Sequence, residues 1–432
     1  MKHTIFALAS AQGRAGVSVI RLSGDKALWA AGQLTPRRLK PRHAVYTPLT
    51  WRDELIDQAI LLYFPAPHSF TGEDCIEFHV HGARAVLDRL YGLFTEMGLR
   101  LAEPGEFSRR AVENGKIDLT QAEGIADLVD AETEAQRRQA LTQLDGGLRR
   151  RYEDWRSDLV DLLARLEVYI DFPDEDLPDD LSQAILTRIV TLRDSLNVAL
   201  ADADRGRQIR EGYRIVILGE PNAGKSSLFN ALLKAEAAIV TPVAGTTRDV
   251  IEAQLRIGPY SVLLYDTAGL RETDEVVERE GIRRALSKAE EADLRLWVVD
   301  ASQPNLPANR RDDDLLIFSK ADLAAGVSRE TPAHVISTAT GEGIADLVNA
   351  IETKVTEALS GQTFPAATRE RHRERLRAAR GQLDEAMASR LRVPELTAEH
   401  VRAALNSFEA LFGRYDVEGV LDVVFSTFCI GK

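Results

Sequence analysis

Residues Gly219 to Ser226 read GEPNAGKS, which fits the GxxxxGK[ST] spacing of a phosphate-binding loop. The loop follows the apolar run YRIVILG and opens the helical run SLFNALLK, so its backbone N–H groups and the helix N-terminus would cradle phosphates. In that setting Lys225 reaches the β and γ oxygens and Ser226 offers a hydroxyl to Mg²⁺. Asn222, Ala223, Gly224 and Ser227 complete the expected contact set. The chemistry implied is phosphoryl transfer from a nucleoside triphosphate.

Companion motifs follow in order. Asp266, Thr267, Ala268 and Gly269 end an apolar run, where the acid can hold magnesium through water and the glycine N–H can meet the γ-phosphate; a strand with an ordinary turn reads the same way. Between the two lies GTTRD, where a switch segment would supply a second magnesium hydroxyl, and Thr247 is the candidate. The run IFSKAD points to the base: the Asp322 carboxylate can accept two N–H bonds from guanine while the stem of Lys320 covers the ring. Guanine is thereby favoured over adenine. Ser319 stands where the usual NKxD motif has asparagine, so one amide contact is lost or remade, and Ser337 and Thr338 would close the base pocket.

Many GTPases orient water with a glutamine just after DxxG, but here that position is Leu270, which cannot do so. Glu278 is one of several downstream acids able to hold the attacking water. Asn222 offers an amide oxygen near the bridging phosphates, where a monovalent cation could replace a basic finger, and carbonyls of TPVAGTT could complete a potassium shell.

These residues need a scaffold. From Tyr213 the strand-like runs YRIVILG, SVLLYDT, LRLWVVD, LLIFSKA and HVIS alternate with helical or loop segments, which predicts a mostly parallel sheet with covering helices. The first hundred or so residues alternate short β-rich runs with turn signals and then one helix, an α+β pattern. Long helical periodicity runs from about Gly115 and returns after about Leu359. A nucleotide domain inserted into a discontinuous helical domain is the economical arrangement: 1–115, 116–211, 212–357 and 358–432, a multidomain α/β plus α chain.

A length of 432 residues exceeds one hydrophobic core, and 44% hydrophobic with 28% charged residues is ordinary for a globular protein. The net charge of -13 argues against a generally basic nucleic-acid coat but leaves room for local patches. Cys75 and Cys429 form neither a disulfide framework nor a zinc spacing, so a cytoplasmic location fits, and no apolar run reaches the roughly 18 residues of a membrane span.

Taken together, APHSFTGED with HVHG, PGEFSRRAVENGKIDLTQAEGIADLVDA, IDFPDED, GEPNAGKSSLFNAL, AAIVTPVAGTTRDV, DTAGLRETDEVVEREGI and the terminal FCIGK resemble the MnmE (TrmE) family of tRNA-modification GTPases along the whole chain. The resemblance implies a folate-binding, dimerising N-terminal domain and an inserted GTPase domain activated by potassium-dependent pairing in a homodimer. It implies potassium ligation by Asn222, Thr241, Val243 and Thr246, magnesium at Ser226 and Thr247, and water positioning by Glu278. Arg21, Glu77, Lys116 and Lys432 match positions that bind a formyl- or methylene-tetrahydrofolate, with the Cys429 thiol nearby, either as a catalytic group assisting the carbon transfer or as a buried side chain. The family acts with a flavin- and NADH-dependent partner, in a heterotetramer, on C5 of the wobble uridine of tRNA. Two arginine-rich stretches, RERHRERLRAAR and Arg149 to Arg151, read either as tRNA contacts or as solvated helix faces. The other functional class compatible with the loop is a regulatory GTPase switch that binds RNA or ribosomes without modification chemistry.

Overall fold

The computed structural model describes residues 3–171, 181–235, 251–266, 290–307, 310–324, 333–361, 364–389, 391–413, 421, 424–426, 428 and 431. The chain forms two compact units, one from 1–126, 143–193 and 375–432, the other from 127–142 and 194–374. Each joins a mixed sheet to helices, a multidomain α/β plus α architecture.

The first unit begins with β1 (Ile5–Leu8), β2 (Ala15–Ser23), α1 (Ala27–Leu34), β3 (Val45–Trp51), β4 (Glu54–Phe64), β5 (Cys75–Gly82), α2 (Arg84–Glu96), β6 (Arg100–Leu101) and α3 (Glu106–Glu113). Its sheet runs β3-β4-β5-β2-β1-β6. Alternation along the strands puts Ile20 and Leu22 of β2 and Ile76, Phe78 and Val80 of β5 into one core with Leu90, Leu93 and Phe94 of α2. Phe94 meets Phe6 and Phe78 at centroid distances of 5.3 and 5.4 Å, tilted or edge-on as aromatic quadrupoles prefer. Arg21 and Glu77, between those buried positions, belong to the opposite face.

The helical periodicity expected to run unbroken through LTQAEGIADLVDAETEAQRRQALTQL forms two helices, α4 (Leu119–Val129) and α5 (Glu134–Leu144). The restart is chemical. Thr133 Oγ1 accepts the Gln136 N–H at 3.4 Å while Gln136 Oε1 accepts the Thr133 N–H at 3.0 Å, a reciprocal capping box. Asp118 and Gln121 start α4 in the same way, at 2.9 and 3.1 Å. Next come α6 (Gly147–Asp171), α7 (Leu181–Ala201) and α8 (Ala203–Glu211).

The second sheet holds β7 (Tyr213–Gly219), β8 (Ile251–Ile257), β9 (Tyr260–Asp266), β10 (Leu294–Asp300), β11 (Leu315–Ser319) and β12 (His334–Val335), with α9 (Lys225–Ala235) between β7 and β8 and α10 (Ile344–Leu359) after β12. Its order is β12-β11-β10-β7-β9-β8, parallel except for the β8–β9 hairpin. From β7 the chain passes to β9 on one side and then to β10 on the other, so strand order reverses at β7. In open α/β sheets the ligand crevice lies at the carboxyl ends of strands at such a reversal. The phosphate loop leaves β7 there.

Two further helices follow, α11 (Glu370–Ser389) and α12 (Pro394–Leu411). α12 packs on α6: Phe408 lies 5.8 Å from Trp155 and 6.3 Å from Tyr152, and Arg156 pairs with Glu409 at 2.5 Å. The arginine-rich stretches are largely engaged within the chain. Arg369 pairs with Asp127, Arg373 with Asp204 at 2.9 Å, Arg149 with Asp118 at 3.7 Å and Arg150 with Asp145 at 3.8 Å. No helix among the described residues is long and apolar enough to cross a membrane.

Candidate functional site

The loop after β7 is shaped by backbone demands. Gly219 sits at φ +149°, and a Cβ there would lie 2.2 Å from the carbonyl oxygen of Val298 on the neighbouring β10. Only glycine permits that approach. Asn222 adopts φ 63°, the left-handed region that asparagine tolerates better than most residues. The turn closes with the Ala223 N–H on the Glu220 carbonyl at 3.2 Å, and α9 begins with the Leu228 N–H on Gly224 at 2.9 Å.

Lys225 is 8% exposed, and its Nζ donates to the carbonyls of Gly219 at 2.9 Å and Glu220 at 2.8 Å. Its charge is folded over the loop. Ser226 and Ser227, on the first turn of α9, are exposed. Asp266, fully buried, ends β9 opposite Ile217 of β7. The sheet therefore converges Asn222, Lys225, Ser226 and Asp266 on the carboxyl ends of β7 and β9.

The base motif reaches the same crevice from β11. Ser319 Oγ donates to the carbonyl of Ala223, with a second contact to Val299 O at 3.2 Å. The hydroxyl that stands where asparagine is usual thus fastens β11 to the phosphate loop. Lys320, at φ 56°, pairs through Nζ with Asp300 at 2.6 Å. The Lys320 ammonium and then the Ser302 hydroxyl and N–H hold the Asp300 carboxyl down to about 2. Asp322 accepts the Ser337 hydroxyl at 2.6 Å, and Thr338 beside it is half-buried. A cavity of about 740 Å³ borders the loop, lined by Glu220, Pro221, Asn222, Asp300, Asn305 and Leu306 among others. Thr241, Val243, Thr246, Thr247, Thr267, Ala268, Gly269, Leu270 and Glu278 lie outside the described residues.

Asp300 escaped sequence reasoning. The available signal was an acid ending a strand of the same parallel block as SKAD; register then places it beside Ser319. Asn305, which donates to Glu220 Oε1 at 2.6 Å, had no such signal.

In the first unit, Arg21 and Glu77 are direct cross-strand partners, joined by Nη2 and Nε bonds to one carboxylate oxygen at 2.8 and 3.1 Å. Arg21 also lies 5.7 Å from the Phe70 ring centroid and 5.8 Å from that of Phe107. Lys116 donates to the Pro67 carbonyl at 2.8 Å, so it and Arg21 grip the same loop between β4 and β5. Gly431, φ 100°, abuts Leu8, whose carbonyl oxygen would lie 2.0 Å from a Cβ there, while Cys429 and Lys432 lie outside the described residues.

Known proteins resemble this chain in sequence along its whole length. The family model described as the N-terminus of the GTP-binding protein TrmE matches residues 4–116. The model described as the MnmE helical domain matches 119–429. Proteins named tRNA modification GTPase MnmE from Caulobacter vibrioides and Phenylobacterium zucineum are 51% and 49% identical over 449 and 446 residues, covering 100% of both chains in each case. That of Paramagnetospirillum magneticum is 49% identical over 451 residues at the same coverage.

Proposed function

Because the chain belongs to the MnmE (TrmE) family of tRNA modification GTPases, we propose that it hydrolyses GTP in the service of modifying C5 of the wobble uridine of tRNA, working in the cytoplasm with a flavin- and NADH-dependent partner in a heterotetramer. The observation that carries the hydrolytic half is the loop itself, with Lys225 held on its carbonyls and Ser226 exposed at the head of α9. Similarity over the full length to proteins named for tRNA modification supports the rest.

The donor set suits magnesium: an exposed hydroxyl at Ser226 and a buried acid at Asp266 frame one end of the crevice, and Thr247 would add the second hydroxyl. Magnesium would neutralise charge on the β and γ phosphates. Lys225 places a cation beside the same oxygens, Asp322 and Lys320 hold guanine, and Glu278 orients the attacking water. Asn222 is exposed beside the loop, where its amide oxygen, with Thr241, Val243 and Thr246, would hold potassium as two copies pair in a homodimer. Turnover is then expected to be at least tenfold faster in potassium than in sodium at equal ionic strength, since a correctly placed positive charge is worth at least that factor. Equal rates would remove the cation role of Asn222.

In the first unit the Arg21–Glu77 pair offers a guanidinium and a carboxylate side by side, and Lys116 an ammonium on the same loop. This suits the carboxylates and ring N–H groups of a formyl- or methylene-tetrahydrofolate, the one-carbon source, with Lys432 and the Cys429 thiol joining them. The deciding measurement is nucleoside analysis of tRNA from cells lacking the chain. C5-substituted wobble uridines should disappear; their persistence would defeat the proposal in favour of a regulatory switch.

A further inference from the structure

Between Asp25 and Asp53 the chain has no acidic residue but six cations: Lys26, Arg37, Arg38, Lys40, Arg42 and Arg52. Against a net charge of -13 this is a local inversion of sign. Four of the six fall in TPRRLKPRHA, the connection between α1 and β3.

That connection is fixed at its backbone and open at its side chains. Thr35 Oγ1 pairs with Thr47 Oγ1 at 2.6 Å and accepts the Arg37 N–H at 3.2 Å. Leu39 packs on the sheet core, and the Arg42 N–H bonds the Tyr63 carbonyl at 2.8 Å. Arg42 itself is held at φ 59°, its guanidinium on the His68 carbonyl and 5.8 Å from the Phe64 ring centroid. Arg37, Arg38 and Lys40 are exposed. Among the described residues they make no ion pair, unlike the arginines of α6 and α11 described above. Next to them stand exposed His43 and Tyr46, the latter 67% exposed.

We propose that this loop is a phosphate-backbone contact for RNA, a surface through which the chain holds its tRNA substrate; the inference rests on the tRNA-modifying reading given above. Unpaired cations on an ordered loop bind phosphates without first breaking an internal ion pair, and guanidinium forks match phosphate oxygens in geometry. Flat side chains at His43 and Tyr46 supply faces on which unpaired bases stack, the combination that single-stranded RNA segments favour. An anionic membrane fits less well, because the loop is not an amphipathic helix and its one aliphatic anchor, Leu39, is turned into the core.

The test compares the full-length chain with R37A/R38A/K40A for binding to a tRNA carrying a wobble uridine, across a salt titration. At about 50 mM salt the triple variant should bind at least tenfold more weakly, and its plot of log affinity against log salt should be shallower by about 2 to 3, the loss of three phosphate contacts. The charge-preserving R37K/R38K/K40R should restore most of the binding. GTP hydrolysis without RNA should be unchanged in both, since the three residues belong to the first unit and the phosphate-binding loop to the second. Unchanged affinity and slope in the triple variant would overturn the proposal, as would a wild-type chain with no affinity for the tRNA. Loss of binding to phosphatidylserine vesicles with RNA binding intact would overturn it in favour of a lipid surface. Cells carrying only the triple variant separate the two readings: full wobble modification there, beside none in cells without the chain, sinks the loop and leaves the function standing.

Discussion

Replacing Lys225 with alanine should lower GTP turnover by about a hundredfold or more, the usual cost of removing one preorganised donor from a developing phosphate charge. The size of the effect follows from where the ammonium already is. It donates to the Gly219 and Glu220 carbonyls at 2.9 and 2.8 Å, so it sits over the loop before nucleotide arrives and little rearrangement is required when phosphates replace those carbonyls. Phosphate release under single-turnover conditions reads the chemical step. Thermal unfolding of the variant serves as the control, because two loop carbonyls lose their donor. A variant with wild-type turnover would remove Lys225 from the reaction.

Asp314→Ala should destabilise the second unit by about 3 to 5 kcal/mol, the cost of leaving one member of a buried ion pair behind. Asp314 accepts Arg295 through Nε at 2.8 Å and Nη2 at 2.5 Å, Trp297 Nε1 at 2.9 Å and the Arg311 N–H at 2.7 Å. Its side chain is 3% exposed and that of Arg295 10%. Burial pushes the Asp314 carboxyl upward, but the bonds from Arg295, the Arg311 N–H and Trp297 outweigh it, and the group is held below the ordinary carboxylate range. A depressed folded value means that its stabilisation is fully present above the unfolded value near 3.9 and is lost as pH falls through the folded one. Trp29, Trp51 and Trp155 all belong to the first unit, so replacing them by phenylalanine leaves Trp297 as a local reporter. Urea unfolding followed by Trp297 at neutral pH should show the shift, and below about pH 4 the wild-type advantage should shrink. Equal midpoints at neutral pH would show that the knot is dispensable.

That knot explains what the chain does with its short connections. Between β10 and β11 no covering helix occurs among the described residues; Asp314 instead ties the returning chain to Arg295 and Trp297 of β10. After β11, among the described residues, the chain makes a 3₁₀ turn, Ala321–Leu323. YRIVILG is legible as β7 to the residue, because an apolar run centred on the β-branched Ile215, Val216 and Ile217 and ending in glycine suits a buried parallel strand. IEAQLRI carries a weaker strand signal, yet it forms β8 at the sheet edge. An edge strand alternates polar and apolar residues and carries less apolar signal than its buried neighbours. The break before α5 was legible in Thr133 and Gln136 but was masked by the alanine- and glutamate-rich text around them. The destination of Ser319 Oγ was not legible at all, because it depends on which strands neighbour β11 and not on the order of residues.

The interleaving of the two units has a consequence for how the chain is made. Once the ribosome has passed residue 374, every residue of the second unit exists, including the early segment 127–142, whereas the first unit still lacks 375–432. At about 5 to 20 residues per second those last residues take roughly 3 to 12 seconds to appear. Until α12 emerges, Tyr152 and Trp155 of α6 have no Phe408 to cover them. The nucleotide-binding part can therefore mature first during synthesis, and the nascent first unit is the stage at which chaperones would have apolar surface to hold.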